Sequence, residues 1–278
     1  LKIAGYSENE ESMLKAKDFI CSKGGIEKTR VFTKIWLSLV DQWKWEGVPI
    51  MPAELILLPN WSPINIYEFS SWARSTIVPL LILMDKKPVR PLPKNLRVDE
   101  LFSDGLNSVD YSVKSPSNQI GWETFFFATD QVLRLLDKLP IKPTRDLALK
   151  KSEQWILDHQ EADGSWGGIQ PPWVYSIMAL YAAGYGLESS VIKKALHGFG
   201  AFEIEDSYSL RVQACVSPIW DTGLAIISLL DSGIKPNDFR LQRAGKWLID
   251  KQIKSEGDWH VKANNVRSGG WAFEFENE

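Results

Sequence analysis

The sequence is poor in the residues that build disulfide frameworks and metal sites. Its 278 residues contain two cysteines, Cys21 and Cys215, and three histidines, His159, His197 and His260. Two cysteines are too few for a disulfide scaffold or a thiolate metal site, and the histidines are scattered rather than paired at helical spacing. We therefore expect no metal and no cofactor.

A strong net charge and a long apolar run are missing as well. The formal net charge is -3 and the isoelectric point is near 5.8, so charge does not favour nucleic acid as a partner. The longest apolar run, Ile77 to Met84, is far shorter than the roughly twenty residues that cross a bilayer. It is better interpreted as part of a buried helix. The N-terminus lacks the residue order of a signal peptide.

Tryptophan, in contrast, is abundant, with 13 residues, and part of it belongs to an internal repeat. Residues 151–166 and 243–259 are nearly the same sequence. Each copy joins a helical run to a glutamine and then to a Gly-x-Trp turn. The matched pairs are Trp155 with Trp247, Gln160 with Gln252, and Trp166 with Trp259.

The repeat predicts an all-α fold. A glutamine at a helix end can hydrogen-bond unpaired backbone groups, while a tryptophan ring buries a large apolar face against the next helix. A recurring helix–turn–helix unit of this size indicates an α-α barrel or a curved helical array. Besides the repeat helices, the predicted helices are 11–21, 30–43, 53–58, 69–83 with a kink or break at Pro79, 122–139 with an apolar stripe of Phe125, Val132, Leu136 and Leu139, 172–185, 189–199, 219–232 and 238–251. No sheet is predicted.

The repeat resembles the QW repeat of the squalene cyclases, which fold linear isoprenoids into polycycles. Four further segments resemble the bacterial squalene-hopene cyclase branch, in the family's order. They are Phe-Ser-Ser-Trp-Ala-Arg from Phe69, Trp-Gly-Gly-Ile-Gln-Pro-Pro-Trp from Trp166, Ser-Pro-Ile-Trp-Asp-Thr-Gly from Ser217 and Gly-Gly-Trp-Ala-Phe-Glu-Phe from Gly269. The resemblance covers essentially the whole chain from about Ser12.

The resemblance implies two α-α barrels, one inserted into the other. Residues 1–214 would form most of the inserted barrel, and residues 215–278 would begin the catalytic barrel. The family's general acid is the middle Asp of an Asp-x-Asp-Asp run soon after the Gly-Gly-Trp-Ala-Phe segment, and these 278 residues contain no such run. Because the chain also begins with Leu1 rather than Met, we expect a fragment that lacks the catalytic acid and is inactive alone.

By resemblance, the activity is cyclisation of squalene to hopene or hopanol in triterpenoid biosynthesis, through an acid-initiated carbocation cascade. Such a site needs aromatic faces over transient cations and exclusion of bulk water. Family positions that shape the substrate cavity match Phe69, Trp72, Ile169, Gln170, Pro171, Trp220 and Phe273, with Trp220 and Phe273 the candidates for cation stabilisation. Positions that hold ordered water match Arg30, Trp36, Gln170 and Tyr175, and the repeat turns contain Gln160, Trp166, Gln252 and Trp259.

The resemblance also implies a monotopic protein of the bacterial cytoplasmic membrane that forms a homodimer when full length. Other interpretations stay open. A related cyclase could act on another polyprenyl chain, and a non-catalytic helical-barrel binding module could carry the same repeats. A prenyltransferase β-subunit shares the α-α barrel but needs a zinc site, which the sequence does not support. For Arg30, an ion pair with Glu27 is the alternative role.

Overall fold

A computed structural model of the protein describes residues 1–103, 105–115 and 121–274. Over these residues the chain forms nine α-helices and one two-stranded hairpin, which confirms the predicted all-α class. The helices are α1 (Glu11–Ser22), α2 (Val31–Leu39), α3 (Ser71–Lys86), α4 (Trp122–Asp137), α5 (Arg145–Asp158), α6 (Gln170–Ala182), α7 (Ser190–Phe199), α8 (Pro218–Asp231) and α9 (Phe239–Asp250), and the strands are β1 (Glu203–Glu205) and β2 (Leu210–Val212). Among the helices of this described part, none has the length and apolarity needed to cross a membrane.

The chain divides into two compact units. The first comprises Leu1–Pro52 and Lys86–Ile141, and the second comprises Ala53–Asp85 and Lys142–Glu278. The boundary predicted near residue 214 separates two barrels and was inferred from the family resemblance. The two compact units do not test it. That boundary stays a prediction.

Aromatic packing forms the core of the first unit. The Trp43 ring stacks on Phe102 at 6.4 Å between centroids and meets Tyr111 edge-on at 4.9 Å. Helix α2 ends at Leu39 rather than at the predicted Trp43, because Asp41 adopts a left-handed backbone conformation with φ of 59°. The helical spacing of apolar residues in the sequence therefore continues beyond the last residue of α2.

Helix α4 is held to the first unit by its polar side. The buried Asp130 carboxylate accepts the Ile50 backbone N–H at 2.7 Å and pairs with Arg134 at 2.6 Å. Arg134 in turn donates to the carbonyls of Glu46 and Val48, each at 2.9 Å. The predicted apolar stripe lies elsewhere, since Phe125, Val132, Leu136 and Leu139 are all exposed.

Helix α3 supplies the most deeply buried stretch of the second unit. Val78 and the run Leu80 to Leu83 are 0–1% exposed. The helix continues through Pro79, so the break allowed for by the sequence analysis does not occur. Proline removes one backbone hydrogen bond, but burial of the residues on either side of Pro79 outweighs that loss.

The β1–β2 hairpin corrects the prediction that no sheet is present. The strands pair antiparallel, with Ile204 opposite Arg211. The Asp206 carboxylate accepts the backbone N–H groups of Tyr208 and Ser209 at 2.9 and 2.8 Å, and so stabilises the turn. Strands of three residues are too short to produce a recognisable alternation in the sequence.

In the first repeat, Gln160 and Trp166 close the end of α5. Trp166 is fully buried, and its indole Nε1 donates at 2.7 Å to the Ile156 carbonyl, which lies in the last turn of the helix where carbonyls lack intrahelical partners. Gln160 Nε2 donates to the carbonyls of Gly164 and Val191, at 3.3 and 2.9 Å. Since Val191 belongs to α7, the turn links α5 to α7.

The second repeat makes the corresponding bonds with Trp271, not with the predicted Trp259. Trp271 Nε1 donates to the Leu248 carbonyl at 2.6 Å, four residues before the glutamine, as Ile156 is in the first repeat. Gln252 Nε2 donates to the Gly269 carbonyl at 2.6 Å. The pairing of Trp166 with Trp259 is therefore wrong in structural terms.

A backbone bond confirms the new alignment of the two turns. The Ile253 N–H donates to the Gly270 carbonyl at 3.0 Å, as the Glu161 N–H donates to the Ser165 carbonyl at 3.0 Å. Residues 253–270 thus replace residues 161–165 between glutamine and tryptophan. The nearer Gly-x-Trp, which ends at Trp259, nearly matches the first repeat in the length of its turn but does not make these bonds.

A buried carboxyl group joins the last described residues to the first repeat turn. Glu274 is 1% exposed, and its carboxyl lies with those of Glu161 and Asp163 in a group whose ligand oxygens are within 4.8 Å of one another. The Ser165 hydroxyl lies 3.5 Å from it. Burial, together with the charges of the two acidic neighbours, raises the pKa of Glu274 to about 9. Glu274 is therefore protonated at neutral pH.

The revised repeat predicts unequal effects of two matched substitutions. Trp271→Phe removes the indole donor to Leu248 and should lower the free energy of unfolding by about 1 kcal/mol. Trp259→Phe leaves that bond intact and should cost less. Urea denaturation of the two variants, with Trp166→Phe as a buried reference, measures the difference. A larger loss for Trp259→Phe would restore the original pairing.

The protonated Glu274 predicts a pH dependence of stability. Its pKa rises from 4.5 to about 9 on folding, so the folded state keeps a proton that the unfolded state releases, and stability falls as pH rises across this window. Glu274→Gln removes this titration. The stability of the variant relative to the parent should rise between pH 5 and 9, by at most about 1.4 kcal/mol per pH unit.

Thermal unfolding over this pH range checks the Glu274 prediction. The matched control is Glu205→Gln, because Glu205 is exposed on β1. Its pH profile should run parallel to that of the parent. Parallel profiles for Glu274→Gln as well would contradict a buried, protonated carboxyl.

Candidate functional site

A short backbone ladder brings together two segments that the sequence analysis assigned to the substrate cavity. Residues 168–170 pair with residues 214–216 through two backbone hydrogen bonds of 2.9 Å, and Ile169 and Cys215 form an antiparallel bridge between them. Helix α6 begins at the end of the first segment and α8 soon after the second. The ladder therefore places the N-terminal ends of α6 and α8 close together.

Trp220 and Phe273 lie against each other in the second unit. Their ring centroids are 6.1 Å apart and their planes are inclined by 56°. Trp220 stands in the first turn of α8 and is 59% exposed, while Phe273 is partly buried beside Glu274. The two residues predicted to stabilise cations are thus neighbours, with the Trp220 ring accessible on the surface of this unit.

Gly168 allows the Phe273 segment to approach the first repeat turn. Its φ is +60°, and a Cβ at this position would lie 2.5 Å from the Glu274 Cδ. A larger residue would therefore push the Glu274 carboxyl away. Close packing here couples the position of Phe273 to the ladder that precedes α6.

The other predicted cavity residues also lie in the second unit. Ile169 and Gln170 are partly buried, and Pro171 is exposed at the start of α6. Phe69 precedes α3 and is 38% exposed, and Trp72 lies in its first turn and is 61% exposed. Their contact with a substrate stays a prediction.

The predicted water network is divided between the two units. Arg30 is exposed before α2 and Trp36 is 40% exposed within it, in the first unit. Gln170 and the buried Tyr175 belong to α6 in the second unit. The carboxylate of Glu27, the alternative partner of Arg30, accepts the Ser103 backbone N–H at 3.1 Å. The network stays a prediction.

A buried ion cluster beside Phe69 was missed from the sequence. Asp258 Oδ2 lies 3.1 Å from Arg74 Nε and 3.2 Å from His159 Nε2. Burial by itself would raise the pKa of Asp258, but hydrogen bonds from His159 and Arg74, together with the electrostatic attraction of these two groups, lower it below its usual value. Arg74 also donates from its guanidinium to the Phe69 carbonyl at 2.7 Å. The signal in the sequence was an arginine near the start of a largely apolar helix.

Glu274 was missed as well, and it belongs to the acidic group that could hold a metal ion. In the part of the chain that the structure describes, Glu161, Asp163 and Glu274 form such a group. Carboxylate oxygens suit hard divalent cations. Without a metal ion, the proton on Glu274 also reduces the charge repulsion and allows the three carboxyl groups to lie close together. Its signal was an acid directly after Phe273 in a segment rich in aromatic residues.

Comparison with protein families matches almost the whole chain. Residues 1–208 match the family model described as the squalene-hopene cyclase N-terminal domain. Residues 216–278 match the model described as the squalene-hopene cyclase C-terminal domain. Residues 209–215, which contain β2 and the start of the second ladder segment, lie between the two matches.

Individual curated proteins are similar over the same extent. A squalene–hopene cyclase of Alicyclobacillus acidocaldarius is 44% identical over 278 residues, which are 100% of this chain and 43% of that protein. A squalene hopane cyclase of Aspergillus fumigatus is 39% identical over 100% of this chain and 39% of its own length. A dammaradiene synthase of Dryopteris crassirhizoma is 38% identical over 91% of this chain and 37% of its own length.

The chain therefore spans less than half the length of these relatives. Both family models nevertheless match in the expected order, and together they cover nearly every residue. The chain belongs to the squalene-hopene cyclase family.

Proposed function

We propose that this chain is part of a longer triterpene cyclase that converts squalene to hopene or hopanol. The observation that carries the proposal is the contact between Trp220 and Phe273, whose rings lie 6.1 Å apart. Whole-chain similarity to a squalene–hopene cyclase supports the same reaction. The substrate offers no polar group, so recognition depends on apolar shape and on aromatic faces.

The aromatic pair suits carbocation chemistry. A desolvated cation over an aromatic face gains about 2 kcal/mol or more, whereas water would capture it early. Two inclined rings present two such faces to one region of space. In this proposal, Trp220 and Phe273 stabilise a cation that forms as the rings of the product close.

The initiating acid comes from residues that follow this chain in the longer protein. An acid adds a proton to a terminal double bond of squalene, and successive alkenes then attack the cation to form new carbon–carbon bonds. Loss of one proton at the end gives hopene, so the overall reaction is an isomerisation. Capture of water at the last cation, followed by proton loss, gives hopanol instead.

Another triterpene product is the second candidate, because a dammaradiene synthase is also similar. The two candidates share the aromatic pair and the acid-initiated cascade. They differ in where the cascade stops, and product analysis distinguishes them.

The proposed reaction predicts a selective effect at Phe273 in the longer protein. Phe273→Leu keeps an apolar side chain but removes the ring, so the loss of about 2 kcal/mol of cation stabilisation should slow turnover about 30-fold. Squalene in detergent micelles is the substrate, and gas chromatography with mass spectrometry measures the products. Prematurely terminated products with fewer rings should accumulate.

The matched control is Phe199→Leu, since Phe199 packs edge-on against Trp173 at 5.4 Å in the second unit and is outside the predicted site. It should retain the parent's turnover below its unfolding temperature. This 278-residue chain alone should form no cyclic product. Cyclisation by the chain alone, or a longer protein that leaves squalene unchanged, contradicts the proposal.

Membrane association is part of the proposal, because squalene is a lipid-soluble substrate. Helix α4 supports it, since its polar side is bound to the first unit while several large apolar side chains are exposed. Trp122 is 75%, Phe126 63% and Leu135 65% exposed. Such a face can enter the outer part of one leaflet without crossing the bilayer. Homodimer formation, expected from the family, is proposed for the longer protein as well.

Vesicle binding tests the role of α4. The longer protein should float with vesicles of phosphatidylcholine and phosphatidylglycerol, and Phe126→Ser with Leu135→Ser should reduce the bound fraction severalfold by removing buried apolar area. Leu147→Ser is the control, because Leu147 is 60% exposed on α5 in the other unit. Equal losses for both variants would exclude a specific role of α4.

A further inference from the structure

The second repeat turn is longer than its closure requires. Gln252 and Trp271 donate to the carbonyls of Gly269 and Leu248 as Gln160 and Trp166 donate to those of Gly164 and Ile156, although residues 253–270 separate them instead of residues 161–165. Closing the turn therefore does not require the added residues, 253–270. Their contacts show what else they hold.

The added residues contact the segment that contains Phe69 from both sides. Asp258 begins a 3-10 helix and pairs with Arg74, which lies after Phe69, and the two side chains are 14% and 7% exposed. Lys262 donates to the Asn60 carbonyl at 2.9 Å and forms an ion pair with Glu68, both of which lie before Phe69.

Arg74 transmits the contact with Asp258 to the backbone of Phe69. One nitrogen of its guanidinium donates to Asp258 and another donates to the Phe69 carbonyl at 2.7 Å. The guanidinium also lies 5.5 Å from the centre of the Tyr67 ring. Two directed hydrogen bonds from one planar group fix both partners. The backbone that enters α3 is therefore fixed by a carboxylate that is distant in the sequence.

Asp258 is needed to keep Arg74 in this position. Both side chains are largely buried, so removal of the carboxylate leaves a guanidinium with one partner fewer in a poorly hydrated place. His159 binds the same carboxylate oxygen, and its ring stacks on Trp155 at 3.7 Å. Asp258 thus joins the end of α5 to the start of α3.

We propose that residues 253–270 form a brace that positions Phe69 and Trp72, with Asp258 as the positioning residue. The inference rests on the proposed cyclase function, in which these two aromatic side chains shape the substrate cavity. Asp258 does not touch the substrate in this account. It acts through Arg74 on the backbone next to the two rings.

The test compares Asp258→Asn with the parent in the longer protein, with squalene as substrate. The amide removes the negative charge and leaves the size of the side chain unchanged. A loosened aromatic wall should lower kcat about 10- to 100-fold with little change in KM, as expected for misplaced positioning groups. The fraction of partially cyclised products should rise about tenfold, measured well below the unfolding temperature.

Arg74→Lys provides a second, independent comparison. It keeps the positive charge beside Asp258 but lacks the planar fork that reaches both Asp258 and the Phe69 carbonyl. It should shift the product ratio in the same direction, and it decides the question if Asp258→Asn does not fold. Asp206→Asn is the matched control, since Asp206 forms an exposed ion pair with Arg211, and it should keep the parent's product ratio.

The possible results distinguish a failure of the proposed function from a failure of the brace. A parent that forms no cyclic product from squalene contradicts the proposed function. An active parent with an unchanged product ratio in the folded Asp258 and Arg74 variants overturns the brace alone. In that case residues 253–270 would only stabilise the fold.

Discussion

Hydrogen bonding of the carbonyls at the ends of α5 and α9 is the constraint on which the second unit depends. The last turn of an α-helix leaves its carbonyls without intrahelical donors, and burying them unpaired is costly. The Ile156 carbonyl receives an indole N–H instead, and the Leu248 carbonyl receives an indole N–H in addition to the Lys251 backbone N–H at 3.1 Å. In both repeats a glutamine also closes the turn before the indole. The same hydrogen bonds therefore complete the helix end and hold the following segment against it.

Two buried acids then fix the segments that contain the aromatic side chains, and they do so in opposite protonation states. Glu274 lies among carboxyl groups and has a raised pKa, so it keeps its proton. Asp258 faces Arg74 and His159 and has a lowered pKa, so it keeps its charge. The first holds Phe273 against the first repeat turn, and the second fixes the backbone at Phe69. Neighbouring charges, not residue type, decide each state.

The sequence predicted the helices better than it predicted the packing around them. Periodic apolar positions act locally, so α1, α7 and α8 lie within one residue or so of their predicted bounds. Pro79 and the stripe on α4 behaved differently because burial is set by neighbouring segments. Phe125 and its partners on the stripe are exposed, since Asp130 and Arg134 bind the opposite side of the helix.

What the sequence alone determined is the helical class, the repeat and the motifs that identify the family, because these depend on residue type and local spacing. Tertiary structure decided that Trp271 rather than Trp259 closes the second turn, that Arg74 and Glu274 are buried, and that Asp258 is partly buried. These features join residues far apart in the chain. Hydrogen-bond geometry and desolvation arise only when the segments meet, so no local pattern could reveal them.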